Sequence, residues 1–280
     1  MFCGDRITRF GDRSNSTHLS GAHVGRRVQV VGYDTGAGDD ESAALLIADA
    51  GAVDREPLVP GRELCYTLGE RRCAGTVVDH VHRACENPEA PYCLEHTHRW
   101  PCARCTGDCE LPLENCREEH ALYLAAFAPD RFKVGVTKTW RLRTRLCEQG
   151  ADRAAHIRTV VDGRIARQIE AEIAGEIPDR IRIPEKVAGL HLTVDEDAWH
   201  ELLAGFDVIE AFDFEYGLDL DAQPVAETLA TGTVLGTKGR LLVLARKTGT
   251  YVVDVRDLVG HEIEARASSR DLQSSLGSFG

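Results

Sequence analysis

Apolar and polar positions alternate over much of the first third of the chain. Val24, Val28 and Val30, then Ala44–Ala48, read as strands, and PLVPGRELCYTL adds another around a Pro60-Gly61 turn. Residues 121–176 change character repeatedly. ALYLAAF is a strand, APDR a turn and FKVGVT a second strand. WRLRTRLCEQG has helical spacing, with Thr137 or Thr139 as its cap and Gly150 as its stop. AAHIRTVV is a strand again. GRIARQIEAEIAGEI is an amphipathic helix with Ile165, Ile169 and Ile173 on one face and Pro178 as its end. The predicted order is β-β-α-β-α. HLTVDEDAWHELLAGF predicts a short strand and an acid-capped helix, and residues 225–266 return to strands punctuated by Thr-Gly and Lys-Gly turns. Both end regions are β-rich, and whether they pair into one sheet is left open.

The expected fold class is therefore α+β. Its parts are a polar leader at 1–22, a β-rich unit at 23–72, a Cys-rich segment at 73–117, an α/β core at 118–190, an α+β unit at 191–268 and a loose tail at 269–280. No apolar run reaches the length of a membrane span, and the leader has no apolar stretch of a signal peptide, so a cytoplasmic protein with no membrane partner is expected.

Residues 73–116 hold seven of the ten cysteines and little apolar periodicity, so metal or disulfides are needed to order them, and metal is favoured in a cytosolic chain. Cys102, Cys105, Cys109 and Cys116 stand as C-x2-C-x3-C-x6-C, a spacing whose thiolates can share one tetrahedral ion. Zinc is expected, and an iron–sulfur cluster is the rival. A second site is expected from Cys73, Cys85, Cys93 and His96, with His80, His82 or His98 able to replace a member. Both sites read as structural, which makes about two zinc ions per chain. Cys3, Cys65 and Cys147 read as ordinary small apolar residues.

Charge changes the picture in one place. The chain carries a formal −12, and only five of its 33 bases are lysines, a usage that looks haloarchaeal and suits a hydrated carboxylate surface in high salt. Residues 118–190 are nevertheless net basic. Within them 131–147 carries Arg131, Lys133, Lys138, Arg141, Arg143 and Arg145 and no acid. Such an island points to a phosphate-bearing partner, DNA or RNA, although the same residues could simply solvate a helix. Lys133, Lys138, Arg141 and Arg143 are the candidate nucleic-acid-binding residues. No Walker A, dinucleotide-binding or nucleophile-elbow pattern occurs, and GTVLGTKGR reads as hairpin turns.

ALY at 121–123, nine residues, KVG at 133–135 and an Arg-bearing helix together resemble the GIY-YIG nuclease superfamily. With EQGA and the cysteine block, residues 73–180 look like one branch of it, the zinc-containing family named domain of unknown function 2797. The resemblance implies that Tyr123 is a general base, that Arg145 (or Arg143, by bare count from Gly135) holds the scissile phosphate, and that Glu170 holds one Mg²⁺. Lys133 stands where the family has its second tyrosine, a departure that weighs against full catalytic competence. The plain alternatives are a core tyrosine at Tyr123 and a surface Arg167–Glu170 pair. Three functions follow as expectations: a Mg-dependent phosphodiester hydrolase, a nucleic-acid-binding module without chemistry, or a zinc-stabilised interaction protein.

Overall fold

Strands from the two ends of the chain hydrogen-bond to one another. A computed structural model describes residues 28–38, 42–97 and 114–268. Eleven strands form one sheet: β1 (Val28–Asp34), β2 (Ala44–Asp49), β3 (Ala52–Pro57), β4 (Glu63–Arg71), β5 (Thr76–Val78) and β6 (Val81–Arg83) from the first part, and β11 (Val225–Ala226), β12 (Ala230–Lys238), β13 (Leu241–Arg246), β14 (Gly249–Asp254) and β15 (His261–Glu264) from the last. Their order is β11-β14-β13-β12-β4-β15-β1-β2-β3-β6-β5. The seam is made by β4, which pairs with β12 and β15, and by β1, where Gln29 faces Glu262. Val30, Leu45, Leu64, Val234, Leu242, Leu244 and Val253 belong to a single buried cluster, so the sheet curls around one core. Bulges between Val30 and Gly32, Val234 and Gly236, and His261 and Ile263 supply the added twist that such curling needs.

The middle of the chain makes a second sheet, from β7 (His120–Phe127), β8 (Arg131–Lys138), β9 (Arg153–Val160) and β10 (Glu210–Asp213), in the order β10-β9-β7-β8. With α1 (Leu142–Gln149) and α2 (Gly163–Ile173), the expected β-β-α-β-α order is present. The fourth strand comes from beyond residue 190, where the sequence pattern placed the end of the core. Ala121, Tyr123, Ala125 and Phe127 face α1, while Leu122, Leu124 and Ala126 face α2 and α4 (Glu196–Leu203), as the two-residue strand period requires.

Local details correct the sequence reading. The N-cap of α1 is Arg141, with no side-chain cap, after a 3₁₀ turn at Thr139–Arg141, so neither Thr137 nor Thr139 caps it. Gly150 does end the helix, at φ 69°. In α2 the buried line is Ala166, Ile169 and Ile173, whereas Ile165 is 49% exposed. The helix stops at Ile173, before Pro178; Asp162 caps its start, accepting from Arg164 N at 2.7 Å. Residues 191–194 are not a strand, because α4 begins directly at its Asp195 cap.

The two sheets are joined at a close contact. The β12–β13 turn presses Gly239 onto the end of α1, where a Cβ would lie 2.7 Å from both Glu148 O and Gly150 N. Beside it, Lys238 Nζ donates to both Asp152 oxygens, at 2.6 and 2.7 Å. Below, α3 (Ile183–Ala188) packs Val187 against Leu241, Val243 and Val252. GTVLGTKGR is thus a hairpin, as expected, and its turn positions the helix that carries Arg145.

Candidate functional site

Tyr123 and Gly135 are cross-strand partners on β7 and β8. The tyrosine ring occupies the space a side chain at 135 would need: a Cβ there would lie 2.5 Å from Tyr123 Cζ. Gly135 is therefore a packing requirement of Tyr123. The ring is buried, and its hydroxyl accepts from Gln149 Nε2 at 2.8 Å. The same amide accepts from Lys133 Nζ at 3.1 Å through Oε1, and Lys133 lies 5.6 Å from the Tyr123 ring centroid. Gln149 comes from the last turn of α1, one residue before the left-handed Gly150, so the helix stop fixes the amide over the hairpin.

These residues open into a cavity of about 810 Å³ along the edge strand β8. Tyr123, Arg145 and Glu170, chosen from three separate elements, all line it. Among the described residues nine basic side chains line it against three acids, Glu148, Glu170 and Asp179. Two of those acids are already paired. Glu148 meets Arg141 at 2.8 Å and Arg145 at 3.1 Å, and Glu170 meets Arg167 at 2.6 Å. A positive field therefore remains. Of the other predicted contacts, Lys133, Lys138 and Arg141 line the cavity; Lys138 is held by Glu118 at 2.7 Å. Arg143 does not. It is exposed on α1, with its guanidinium 5.4 Å from the Phe214 ring centroid. The geometry thus separates the two arginines that counting could not: Arg145 faces the cavity.

Several lining residues were not picked from the sequence. Trp140 stands at the rim, 72% exposed, with Lys138 and Arg141 within 6 Å of its ring. Its only signal was its place inside the basic run. Lys186 of α3 donates to Gln149 O at 2.6 Å and lies 4.0 Å from the Phe127 ring centroid. Burial, reinforced by the charges of Lys133, Arg240, Lys238 and Arg145, brings its ammonium down to about 7. No spacing rule would have singled it out.

The second predicted metal site assembles. Donor atoms of Cys73, Cys85, Cys93 and His96 all lie within 4.8 Å of one another. Four ligands at tetrahedral zinc distances stand roughly 3.3–3.8 Å apart, so modest inward movement would close the shell. Sγ of Cys73 and Cys93 are already 3.4 and 3.2 Å from His96 Nδ1. Burial raises the Cys73 thiol, opposed by the backbone N–H groups of Gly75 and Cys93 that point at its Sγ, so a bound cation would be needed to draw off its proton. Burial opposes ionisation of Cys93, but hydrogen bonds from His96, the backbone and Cys73 outweigh it and lower its thiol to about 7. The donor set fits a structural ion, which would tie the end of β4 to residues 85–96. His82 does not join it, as its Nε2 faces Ala74 O, nor does His80, which sits at φ 61° in the β5–β6 turn. Cys102, Cys105 and Cys109 of the other predicted site, and His98, lie outside the described residues. Cys116 is a buried free thiol lining the cavity. Cys65, in contrast to the expectation of an ordinary apolar residue, is disulfide-bonded.

The fold and these clusters define a mixed α+β protein with a Cys₃His group that could hold a metal ion. Residues 81–216 match the model of a family described as "Protein of unknown function (DUF2797)". The matched segment runs from β6 through the whole four-stranded sheet. No curated protein and no solved structure matches the chain. Among the described residues no helix is long and apolar enough to cross a membrane.

Proposed function

We propose that the cavity along β8 receives the phosphodiester backbone of a nucleic acid and that the protein is a metal-dependent phosphodiester hydrolase. One observation carries this reading: Tyr123, Arg145 and Glu170 line a single cavity in which basic side chains outnumber acids, within a chain of net charge −12. A solvated helix face would not concentrate its cations in a concavity. Arg145 can bind two phosphate oxygens at once. Tyr123 can accept a proton, directly or through water, while Gln149 and Lys133 hold it in place. Glu170 is the carboxylate for a Mg²⁺, which would supply charge neutralisation at the leaving oxygen; Arg167 must then give up its present contact. Trp140 is suited to stack on a base at the rim. The Cys₃His group, and the quartet ending at Cys116, serve as structural zinc sites.

A second reading, a nucleic-acid-binding protein without chemistry, is favoured by one feature. Lys133 stands where the nuclease superfamily that the sequence resembles has its second tyrosine, and it is tied to Gln149 and Tyr123. The deciding experiment uses labelled branched and linear DNA and RNA, with and without Mg²⁺, in salt where folding is verified. Metal-dependent cleavage supports the first reading, and salt-sensitive binding without cleavage the second. No binding leaves a zinc-stabilised interaction protein.

A further inference from the structure

A second cavity, of about 860 Å³, adjoins the first on the side of the eleven-stranded sheet. Arg145, Arg180, Lys186 and Arg240 line both. Among the described residues the second cavity has seven basic side chains and two acids. Those acids are spoken for: Asp34 is paired with Arg55 at 2.8 Å, and Glu148 with Arg141 and Arg145. Its walls come from β1, α1, the 180–183 segment, α3, β13 and the short helix α5 (Val255–Leu258), so sheet and core build it together.

Arg240 is paired with Asp254 at 2.8 Å and Lys238 with Asp152 at 2.6 Å, which leaves Arg180, Arg182, Lys186 and Arg256 to repel one another unless an anion is bound among them. A small anion in the first cavity would not account for the second. A phosphate chain would, because its charges repeat along its length and need a continuous basic track.

We infer that the second cavity is the exit track of the nucleic-acid strand, in which phosphates beyond the one at Tyr123 and Arg145 rest on Arg180, Arg182, Lys186 and Arg256. This rests on the reading of the first cavity as a phosphodiester site and deepens it. The ligand must carry several consecutive phosphates and extend onto the eleven-stranded sheet. The sheet is then part of the recognition surface as well as a scaffold.

The test measures anisotropy of a labelled dinucleotide with one phosphate and a labelled twelve-nucleotide strand, as DNA and as RNA, across a salt series. Wild type is compared with Arg182→Ala/Arg256→Ala, two exposed positions that line the second cavity and not the first, and with Lys133→Ala in the first cavity. The inference expects the longer strand to bind wild type more tightly than the dinucleotide. The double variant should lose that gain, with a log–log salt slope smaller by roughly 1–2, while binding the dinucleotide as wild type does. If the long strand binds the double variant and wild type alike while Lys133→Ala weakens it, the exit track is wrong and the first cavity stands. If neither ligand binds wild type, both fall.

Discussion

The Tyr123 hydroxyl and the Gln149 side-chain amide are hydrogen-bonded at 2.8 Å, with the amide as donor. The hydroxyl's own hydrogen is therefore not used in this bond, and as a general base Tyr123 would first pass that proton on before taking another. Gln149 also accepts from Lys133, so one amide orients the tyrosine and the lysine that borders it. If Tyr123 acts as general base, Tyr123→Phe should lower the cleavage rate by about 10²–10⁴-fold without loss of the fold. Gln149→Ala should lower it less and leave binding near wild type. Equal rates for wild type and Tyr123→Phe would exclude the tyrosine from the chemistry.

Gly135 tests the packing beneath that contact. Its backbone is not in the left-handed region, so Gly135→Ala is a steric test alone. A Cβ 2.5 Å from the Tyr123 ring forces one of the two strands to shift. We expect a loss of about 1–3 kcal/mol by denaturant unfolding, with Tyr123 displaced. Neutral behaviour would show that the ring has room to move.

Lys186 makes stability and binding depend on pH. Its folded pKa of about 7 lies below the ordinary 10.5. Between those values the unfolded chain holds a proton that the folded chain does not, so this group makes stability rise with pH across that window. Below the folded pKa its penalty is fully present. Burial is the main cause, with the charges of Lys133, Arg240, Lys238 and Arg145 behind it, while Glu148 is an acid that lines both cavities. Lys186→Met should flatten the rise and be the more stable protein below pH 7. Polyanion binding measured by calorimetry at pH 8 should take up a proton in wild type and not in this variant.

Trp140 offers a separate handle on strand recognition. Truncation at this exposed rim position should leave the fold intact. Trp140→Ala should weaken single-strand binding by about 1–3 kcal/mol with little change in the salt slope, because a stacking contact is lost and no phosphate contact is.

The Cys₃His group predicts at least one zinc per chain by elemental analysis, falling by one in Cys93→Ser. Chelation should lower the thermal midpoint, and less so at acidic pH, where protons compete with the ion for the thiolates and the bound ion contributes less stability. No metal in purified protein, or iron in place of zinc, would contradict the assignment.

Much of this architecture was legible in local pattern. The β-β-α-β-α order follows from the period-two runs at ALYLAAF and FKVGVT and from Gly150 as helix stop. The Cys73–His96 group was legible from ligand spacing. What local pattern does not carry is pairing across the chain. Gln29 meets Glu262 through tertiary topology alone, and the fourth strand, β10, joins the core from beyond a helix. Ile165 was misplaced because a helix face is chosen by what packs on it; here the small Ala166 lets α2 approach the sheet. Neither Gln149 nor Lys186 is singled out by the sequence. Their meaning comes from burial beside Tyr123 and Lys133, and burial is a property of the fold.

The most direct test of the central claim is single-turnover cleavage of labelled branched and linear DNA and RNA with Mg²⁺ or Mn²⁺, comparing wild type with Glu170→Ala. The account predicts metal-dependent cleavage by wild type and its loss in Glu170→Ala, with the variant still folded and still binding the same oligonucleotides. Cleavage that survives the substitution, or none by folded wild type with any of these nucleic acids, would contradict a phosphodiester site at β8.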